Sequence, residues 1–144
     1  YYVMPGLDED DEALTARLTR EGPLPVEDAV RLTLQVADAL EYAHGHGVVH
    51  RDIKPGNILL EADHAVVADF GIALLQDLPA ERLTGSHGSP GSPVYMSPEQ
   101  ATGEAGADHR SDIYSLGCVL YEMLAGDPPF TGRVARAILT RKLT

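Results

Sequence analysis

The stretch His-Arg-Asp-Ile-Lys-Pro-Gly-Asn at residues 50–57 is the feature that most constrains this chain. Asp-Phe-Gly follows at residues 69–71, and its aspartate lies twelve residues after Asn57. Together they place a carboxylate, an ammonium group, a carboxamide and a second carboxylate in a fixed order around one short loop. That set of groups suits the transfer of a phosphoryl group from a metal-bound nucleotide to a hydroxyl.

Asp52 and Lys54 are the candidate reactive groups of this loop. A carboxylate beside an attacking hydroxyl orients it and accepts its proton, which is worth roughly 10²–10⁴-fold in rate. Residues two apart in an extended loop point the same way, so the Lys54 ammonium can reach the oxygens of the transferring phosphoryl group. Asp52 is therefore the candidate base, and Lys54 the candidate cation on the acceptor side.

Asn57 and Asp69 offer oxygen atoms that suit magnesium. Mg²⁺ binds oxygen ligands at about 2.0–2.1 Å and keeps several waters, so one or two protein ligands plus nucleotide phosphates suffice. Asn57 is the only asparagine in the chain. We expect Asn57 and Asp69 to be the metal ligands, with Gly71 allowing a sharp turn after Asp69.

In this order and spacing, these residues resemble the catalytic loop and metal-binding triplet of protein kinases. The lysine at position 54 and the amino-acid sequences of residues 50–59 and 95–101 resemble those of bacterial Ser/Thr kinases. The resemblance implies a protein serine/threonine kinase that transfers the ATP γ-phosphoryl group to protein hydroxyls, with ATP and Mg²⁺ as cofactors. It makes Asp52 and Lys54 catalytic and lets Lys54, Asn57 and Asp69 contact the bound nucleotide and metal. His50 is interpreted as a packed structural histidine.

The first seven residues resemble the last N-lobe strand and hinge of a kinase. Met4 stands in the gatekeeper place, and Leu7 offers a backbone donor and acceptor to adenine. Leu59 is expected under the adenine ring, but an ordinary core leucine explains it equally well. The acidic residues 8–12 are interpreted as the start of a helix, where carboxylates favour the dipole. Gripping a ribose or a basic peptide is the alternative.

Residues 69–99 resemble an activation segment that ends in Ser-Pro-Glu instead of the usual Ala-Pro-Glu. Ser92 stands where the family carries a Ser or Thr that bonds the catalytic Asp and Lys. Arg51 resembles the arginine that pairs with a phosphorylated activation loop, since a phosphate adds about −1.5 to −2 charge. A plain flexible loop is the alternative reading of this Gly-, Ser- and Pro-rich stretch. The candidate phosphorylation sites are Thr84, Ser86 and Ser89.

Secondary structure is predicted on both sides of the loop. Apolar spacings of three and four predict a helix over residues 25–47, on Ala29, Thr33, Val36, Leu40 and Ala43. Short apolar runs at 58–60 and 65–68 predict a hairpin. Residues 112–126 predict a buried helix with Ser111 as N-cap and Gly126 as its stop. This helix resembles the central helix of the kinase C-lobe, with Asp112 bonding back to the catalytic-loop backbone.

The expected fold class is α+β, mainly helical: a protein-kinase-like C-lobe from the hinge to the start of the helix after the central one, with the N-lobe missing. Residues 1–144 are expected to form a partial kinase domain, with strand and hinge at 1–7 and a C-lobe truncated at its C-terminus at 8–144.

Lys54 and Lys142 are the only lysines, and neither can pair with the α- and β-phosphates from an N-lobe strand. We therefore expect this piece alone to bind ATP weakly and to transfer no phosphate. The arginine expected to pair with Glu99 is absent unless one of three others substitutes: Arg133, Arg136 or Arg141.

Composition excludes some partners. The 22 acidic and 11 basic residues give a formal net charge of −11, which argues against nucleic acid and anionic membranes. A single cysteine, Cys118, supplies no disulfide framework, and no run of eighteen apolar residues or signal peptide is present. We expect a cytoplasmic chain, in a group whose full-length members often carry a membrane anchor. The expected partners are ATP, Ser/Thr protein substrates and a second kinase copy for activation-loop autophosphorylation.

Two other classes of protein compete with an active kinase. A non-catalytic pseudokinase or truncated regulatory binding module is favoured by the missing N-lobe, but intact Asp52 and Asp69 argue against decay of the chemistry. A small-molecule phosphotransferase of related fold is disfavoured by the long Ser/Thr-rich segment and its Ser-Pro-Glu end.

Overall fold

The computed structural model of the chain describes residues 11–70, 93–103, 108–132 and 135–144. This part of the chain forms helices on one small antiparallel sheet, with a single turn of 3-10 helix at Pro55–Asn57. In chain order the elements are β1 (Glu12–Ala13), α1 (Leu14–Glu21), α2 (Val26–Gly45), β2 (Ile58–Glu61), β3 (His64–Val67), α3 (Pro98–Thr102), α4 (His109–Ala125) and α5 (Ala135–Leu143).

The sheet is antiparallel throughout, in the order β1-β2-β3. Side chains alternate between faces along a strand, and Ile58 and Leu60 of β2 are buried whereas Leu59 between them is only half-buried. The predicted hairpin is therefore confirmed. The prediction that the acidic residues begin a helix is wrong for Glu12, which lies in β1 and pairs with Leu60; residues 8–10 lie outside the described part.

Helix α2 confirms the helix predicted over residues 25–47. It has one apolar stripe facing the core, formed by Ala29, Leu32, Val36, Leu40 and Ala43. Leu32, and not Thr33, completes this stripe, because the Thr33 hydroxyl donates to the Ala29 carbonyl at 2.7 Å.

Helix α4 packs against α2 and begins two residues before the predicted cap. Asp108 is the N-cap, since its carboxylate accepts from the Arg110 N–H at 2.9 Å. The Arg110 guanidinium, followed by this backbone contact, lowers the pKa of Asp108 to about 2. The prediction of Ser111 as N-cap is wrong, whereas Gly126 ends the helix as predicted, with φ of 88°.

One face of α4 is not covered by the described residues. Ile113, Tyr121 and Leu124 are all more than two-fifths exposed, so the prediction of a helix buried on every side is wrong for this part of the chain. The opposite face is buried and includes Cys118 and Val119. It joins a single core cluster drawn from α1, α2, the sheet and α4. That core supports the loop between α2 and β2.

The β2–β3 turn has two non-glycine residues in the left-handed region, Ala62 with φ of 45° and Asp63 with φ of 69°. Positive φ at both central positions is the geometry of a type I′ turn, which favours Asn-Gly. Two side chains of helix α2 bond the backbone of this hairpin. Arg31 donates to the Asp63 carbonyl, and Gln35 Oε1 accepts from the Ala65 N–H at 2.7 Å.

Changing Ala62→Asn should therefore stabilise the protein. Asparagine tolerates the left-handed region that alanine resists, so we expect the free energy of unfolding to rise by about 0.5–1 kcal/mol. Urea denaturation measures it. The same change at Ala37, in the middle of α2, should lower the free energy of unfolding because asparagine is a poorer helix former. A decrease at position 62 would contradict the prediction.

Candidate active site

The loop that follows α2 is anchored by His50, which is 2% exposed. Its Nε2–H donates to the Ala68 carbonyl at 2.7 Å, and its Nδ1 accepts from the Asp52 N–H at 3.2 Å. Its ring meets Phe70 edge-on, with centroids 4.8 Å apart. Because both ring nitrogens are occupied by backbone groups, the interpretation as a packed structural histidine is confirmed.

A buried carboxylate on α4 accepts hydrogen bonds from the backbone of the same loop. Asp112 is fully buried and accepts from the N–H of His50 at 2.8 Å and from that of Arg51 at 2.7 Å. His44, at the end of α2, donates to it from Nε2 at 2.8 Å. The predicted bond from Asp112 to the loop backbone is therefore confirmed. Arg51 needs this support, since its φ of 68° lies in a region that costs a non-glycine residue about 1–2 kcal/mol.

The structure brings Asp52, Lys54 and Asn57 into direct contact. The Lys54 ammonium lies 3.2 Å from Asp52 Oδ2. Asn57 Nδ2 donates to the same oxygen at 3.1 Å and to the Asp52 carbonyl at 2.8 Å. Within the described part of the chain, both side-chain contacts of Asp52 fall on Oδ2, which leaves Oδ1 as the oxygen that a hydroxyl can approach. The Asp52 side chain is about one-fifth exposed (21%), so an acceptor can reach it.

Asp69 lies directly after Ala68, and Ala68 is tied to the loop on both sides. The Ala68 N–H donates to the Asn57 carbonyl at 2.9 Å, and its carbonyl accepts from His50. Asp69 is exposed and has φ of 64°. This backbone pairing places Asp69 one residue beyond the position that bonds Asn57.

The donor set fits magnesium. Asn57 makes its two contacts through Nδ2, which leaves Oδ1 for a cation, and Asp69 adds carboxylate oxygens. Hard oxygen donors of this kind, supplemented by phosphate oxygens and water, are what Mg²⁺ prefers. The described residues include no group of three or more His, Cys, Asp or Glu side chains that could hold a metal without such help.

The other predicted site residues fall into two groups. Leu59 is half-buried and belongs neither to the buried core cluster nor to the residues packed against it. Among the described residues, Leu59 is therefore not part of the buried core. Six further residues lie outside the described part of the chain: Met4, Leu7, Thr84, Ser86, Ser89 and Ser92.

Residues 95–100, at the end of the expected activation segment, make contacts that the sequence did not predict. Tyr95 donates to Glu122 of α4 at 2.5 Å, and burial raises the pKa of both side chains. Ser97 caps α3 in a reciprocal arrangement with Gln100. The Ser-x-x-Gln spacing is a capping-box signature, so the cap of α3 could be predicted from the sequence. The bond between Tyr95 and Glu122 could not, because the two residues are distant in the chain.

Among the described residues, Glu99 has a hydroxyl as its side-chain partner. It accepts from Ser111 at 2.9 Å, and its own backbone N–H followed by this hydroxyl lowers the pKa of its carboxyl group. Arg141 instead donates to the Thr131 carbonyl, so it does not substitute for the expected arginine. The side chains of Arg133 and Arg136 lie outside the described part.

Comparison with known proteins assigns this site to a family. The family described as "Protein kinase domain" matches residues 1–143. The "Probable serine/threonine-protein kinase PknB" of Bifidobacterium longum is 53% identical over 118 residues, which cover 81% of this chain and 17% of that protein. The serine/threonine-protein kinase PknB of Mycobacterium tuberculosis is 47% identical over 113 residues, covering 78% and 18%.

A third relative matches more of the chain. The serine/threonine-protein kinase PkaA of Streptomyces coelicolor is 42% identical over 139 residues, which cover 94% of this chain and 25% of that protein. The chain belongs to the protein kinase family and has a part of the protein-kinase fold. It spans between 17% and 25% of the length of these curated relatives.

Removing the Asp112 carboxylate should greatly lower the stability of the protein. Asp112→Ala leaves the buried N–H groups of His50 and Arg51 without acceptors, so we expect the free energy of unfolding to fall by about 3 kcal/mol. Denaturant unfolding measures the loss, and hydrogen exchange should show the amides of His50 and Arg51 opening. Asp38→Ala removes an exposed carboxylate of α2 and serves as the control. Equal stability of the two variants would contradict the anchoring role.

Proposed function

We propose that this chain is the C-lobe part of an ATP-dependent protein serine/threonine kinase, running from the hinge to the helix after the central one. The observation that carries the proposal is the contact of Asp52 with both Lys54 and Asn57 within 3.2 Å. Asp69 follows Ala68, whose N–H donates to the Asn57 carbonyl. The three curated relatives, all named serine/threonine-protein kinases, support the acceptor class.

Each of the site residues has its own role in the proposed reaction. Asp52 receives the Ser or Thr hydroxyl at its free Oδ1, orients it and accepts its proton. Lys54 places a positive charge beside the Asp52 carboxylate and the acceptor hydroxyl, where the negative charge of the transferring phosphoryl group develops. Asn57 and Asp69 would hold a magnesium ion, which would supply positive charge to the phosphates of bound ATP.

The nucleotide side draws on residues near the start of the chain. Met4 as gatekeeper and Leu7 as the hinge backbone contact are proposals from the resemblance alone. Leu59 is better supported, because its side chain is excluded from the buried core cluster and extends from the sheet face opposite to Ile58 and Leu60. We assign it to the adenine ring.

The partners proposed are proteins with accessible serine or threonine and, for autophosphorylation, a second copy of the kinase. No helix in the described part of the chain has the length and apolar character needed to cross a membrane. We place the catalytic chemistry in the cytoplasm, where ATP is available.

Changing Asp52→Asn should abolish most of the transfer. The amide cannot accept the hydroxyl proton, so kcat should fall by roughly 10²–10⁴-fold while the KM for ATP changes little. The assay uses the full-length gene product, Mg²⁺–ATP and a Ser/Thr peptide. The matched control is Asp63→Asn, which makes the same change in an exposed turn. Retention of full kcat by the Asp52 variant would contradict the assignment.

Arg51 carries the regulatory part of the proposal. Its Nε is buried and has no hydrogen-bond partner among the described residues, and an unpaired buried donor is costly. A phosphate on the segment that carries Thr84, Ser86 and Ser89 would supply strong acceptors and negative charge. Ser92 is proposed to bond Asp52 and Lys54.

Alanine at Thr84, Ser86 and Ser89 together should therefore lower the kcat of the full-length gene product by about tenfold or more, the scale of one to two charge-assisted hydrogen bonds. A triple alanine variant at exposed threonines away from the loop, Thr19, Thr131 and Thr144, is the control. Phosphate content is measured by mass spectrometry. Unchanged activity in a preparation that carries no phosphate on this segment would rule out the regulatory role.

A further inference from the structure

The peptide unit between Arg51 and Asp52 is held at both of its polar atoms. Its N–H belongs to Asp52 and donates to His50 Nδ1 at 3.2 Å. Its carbonyl belongs to Arg51 and accepts from the Gln100 side chain at 3.0 Å. This peptide directly carries the Cα of Asp52, so its orientation determines where the candidate base points.

Gln100 makes this contact from the opposite end of the activation segment. It lies in α3, 49 residues from Arg51 along the chain. Its Oε1 accepts from the Ser97 N–H at 3.0 Å, and its Nε2 donates to the Arg51 carbonyl. A backbone N–H can only donate and a carbonyl can only accept, so the two partners fix which end of the carboxamide is oxygen and which is nitrogen.

The contact acts on a strained residue. Arg51 has φ of 68°, and such a conformation persists only where the surroundings over-determine it. Asp112 holds the N–H of Arg51 at 2.7 Å, and Gln100 holds its carbonyl. The two contacts enter from different elements, α4 and α3, and restrict both sides of the same residue.

We propose that Gln100 is a positioning residue for phosphoryl transfer: its carboxamide couples the capped end of the activation segment to the peptide that orients Asp52. When α3 is docked, the Arg51 carbonyl has its donor and the Asp52 peptide is fixed. When α3 moves away, the strained peptide loses one of its supports. The inference rests on the proposed kinase function and adds to it a route by which the activation segment controls the base.

The chain allows the capping role and the coupling role of Gln100 to be separated. In Gln100→Glu the new side chain still accepts from the Ser97 N–H, as glutamate does in a capping box. It loses the donor to the Arg51 carbonyl and faces that carbonyl with an oxygen. A purely structural capping role therefore leaves this variant unaffected, whereas the coupling role does not.

The experiment measures steady-state transfer to a Ser/Thr peptide by the full-length gene product. For Gln100→Glu we expect kcat to fall by about tenfold, the scale of one hydrogen bond, with KM for ATP and peptide within about twofold of wild type. Hydrogen exchange should show faster exchange of the Asp52 amide, with the Ala101 amide in α3 still protected. Gln35→Glu is the matched control, since Gln35 of α2 also bridges two groups, Ala65 and His64, but both belong to β3 and neither to the catalytic loop.

The outcomes are distinguishable. Wild-type kcat together with wild-type exchange at Asp52 in Gln100→Glu overturns the coupling and leaves the kinase function standing. Absence of transfer by the wild-type protein overturns the kinase function, and the exchange of the Asp52 amide then still tests the positioning. If Gln100→Glu fails to fold, Gln100→Met is used; a kcat equal to that of wild type in this variant, which has neither donor nor acceptor, also overturns the coupling.

Discussion

The carboxylate of Asp112 is the contact on which the loop geometry depends. It is fully buried, yet it has three partners: the N–H groups of His50 and Arg51 and the ring of His44. A buried carboxylate is tolerated only when its oxygens are satisfied in this way. Because the partners come from α2 and from the loop that follows it, a single side chain of α4 fixes where the loop starts and in which direction its backbone runs.

The packing of α2 on α4 makes that contact possible. Apolar residues of both helices belong to one core cluster, which brings the last turn of α2 and the first turn of α4 together at the loop. His44 and Asp112 meet at this junction. From there, the further positions follow from a short series of bonds: the buried His50 ring donates to the Ala68 carbonyl, the Ala68 N–H donates to the Asn57 carbonyl, and Asp69 comes next in the chain. The loop that carries the proposed chemistry is therefore positioned by bonds to its main-chain groups, made by the buried side chains of Asp112 and His50 and by the backbone itself.

Local patterns in the sequence predicted the hairpin, the long helix α2 and the order of the loop residues, because each depends on neighbours within a few positions. The errors share a physical cause. Ser111 has the residue type of a cap, but its hydroxyl serves Glu99 and Ser97, which lie in another element, so Asp108 takes the cap. Glu12 belongs to an acidic run that favours a helix start, but pairing with Leu60 places it in a strand. The Gln100 contact was invisible for the same reason, since its partner is distant in the chain.

Two residues with positive φ, Arg51 and Asp69, enclose the proposed chemistry. Neither is glycine, so each conformation costs about 1–3 kcal/mol and has to be maintained by other contacts. For Arg51 the contacts come from α4 and α3; for Asp69 they come from its neighbours, through the bonds of Ala68 and the packing of Phe70 on His50. The strain makes the site sensitive to the elements that maintain it. Under the proposed coupling, displacement of α3 would let Arg51 relax toward ordinary backbone angles and would shift Asp52, whereas a loop without strain would keep its shape. Strain at Arg51 is then the feature through which a change at α3 would reach the candidate base.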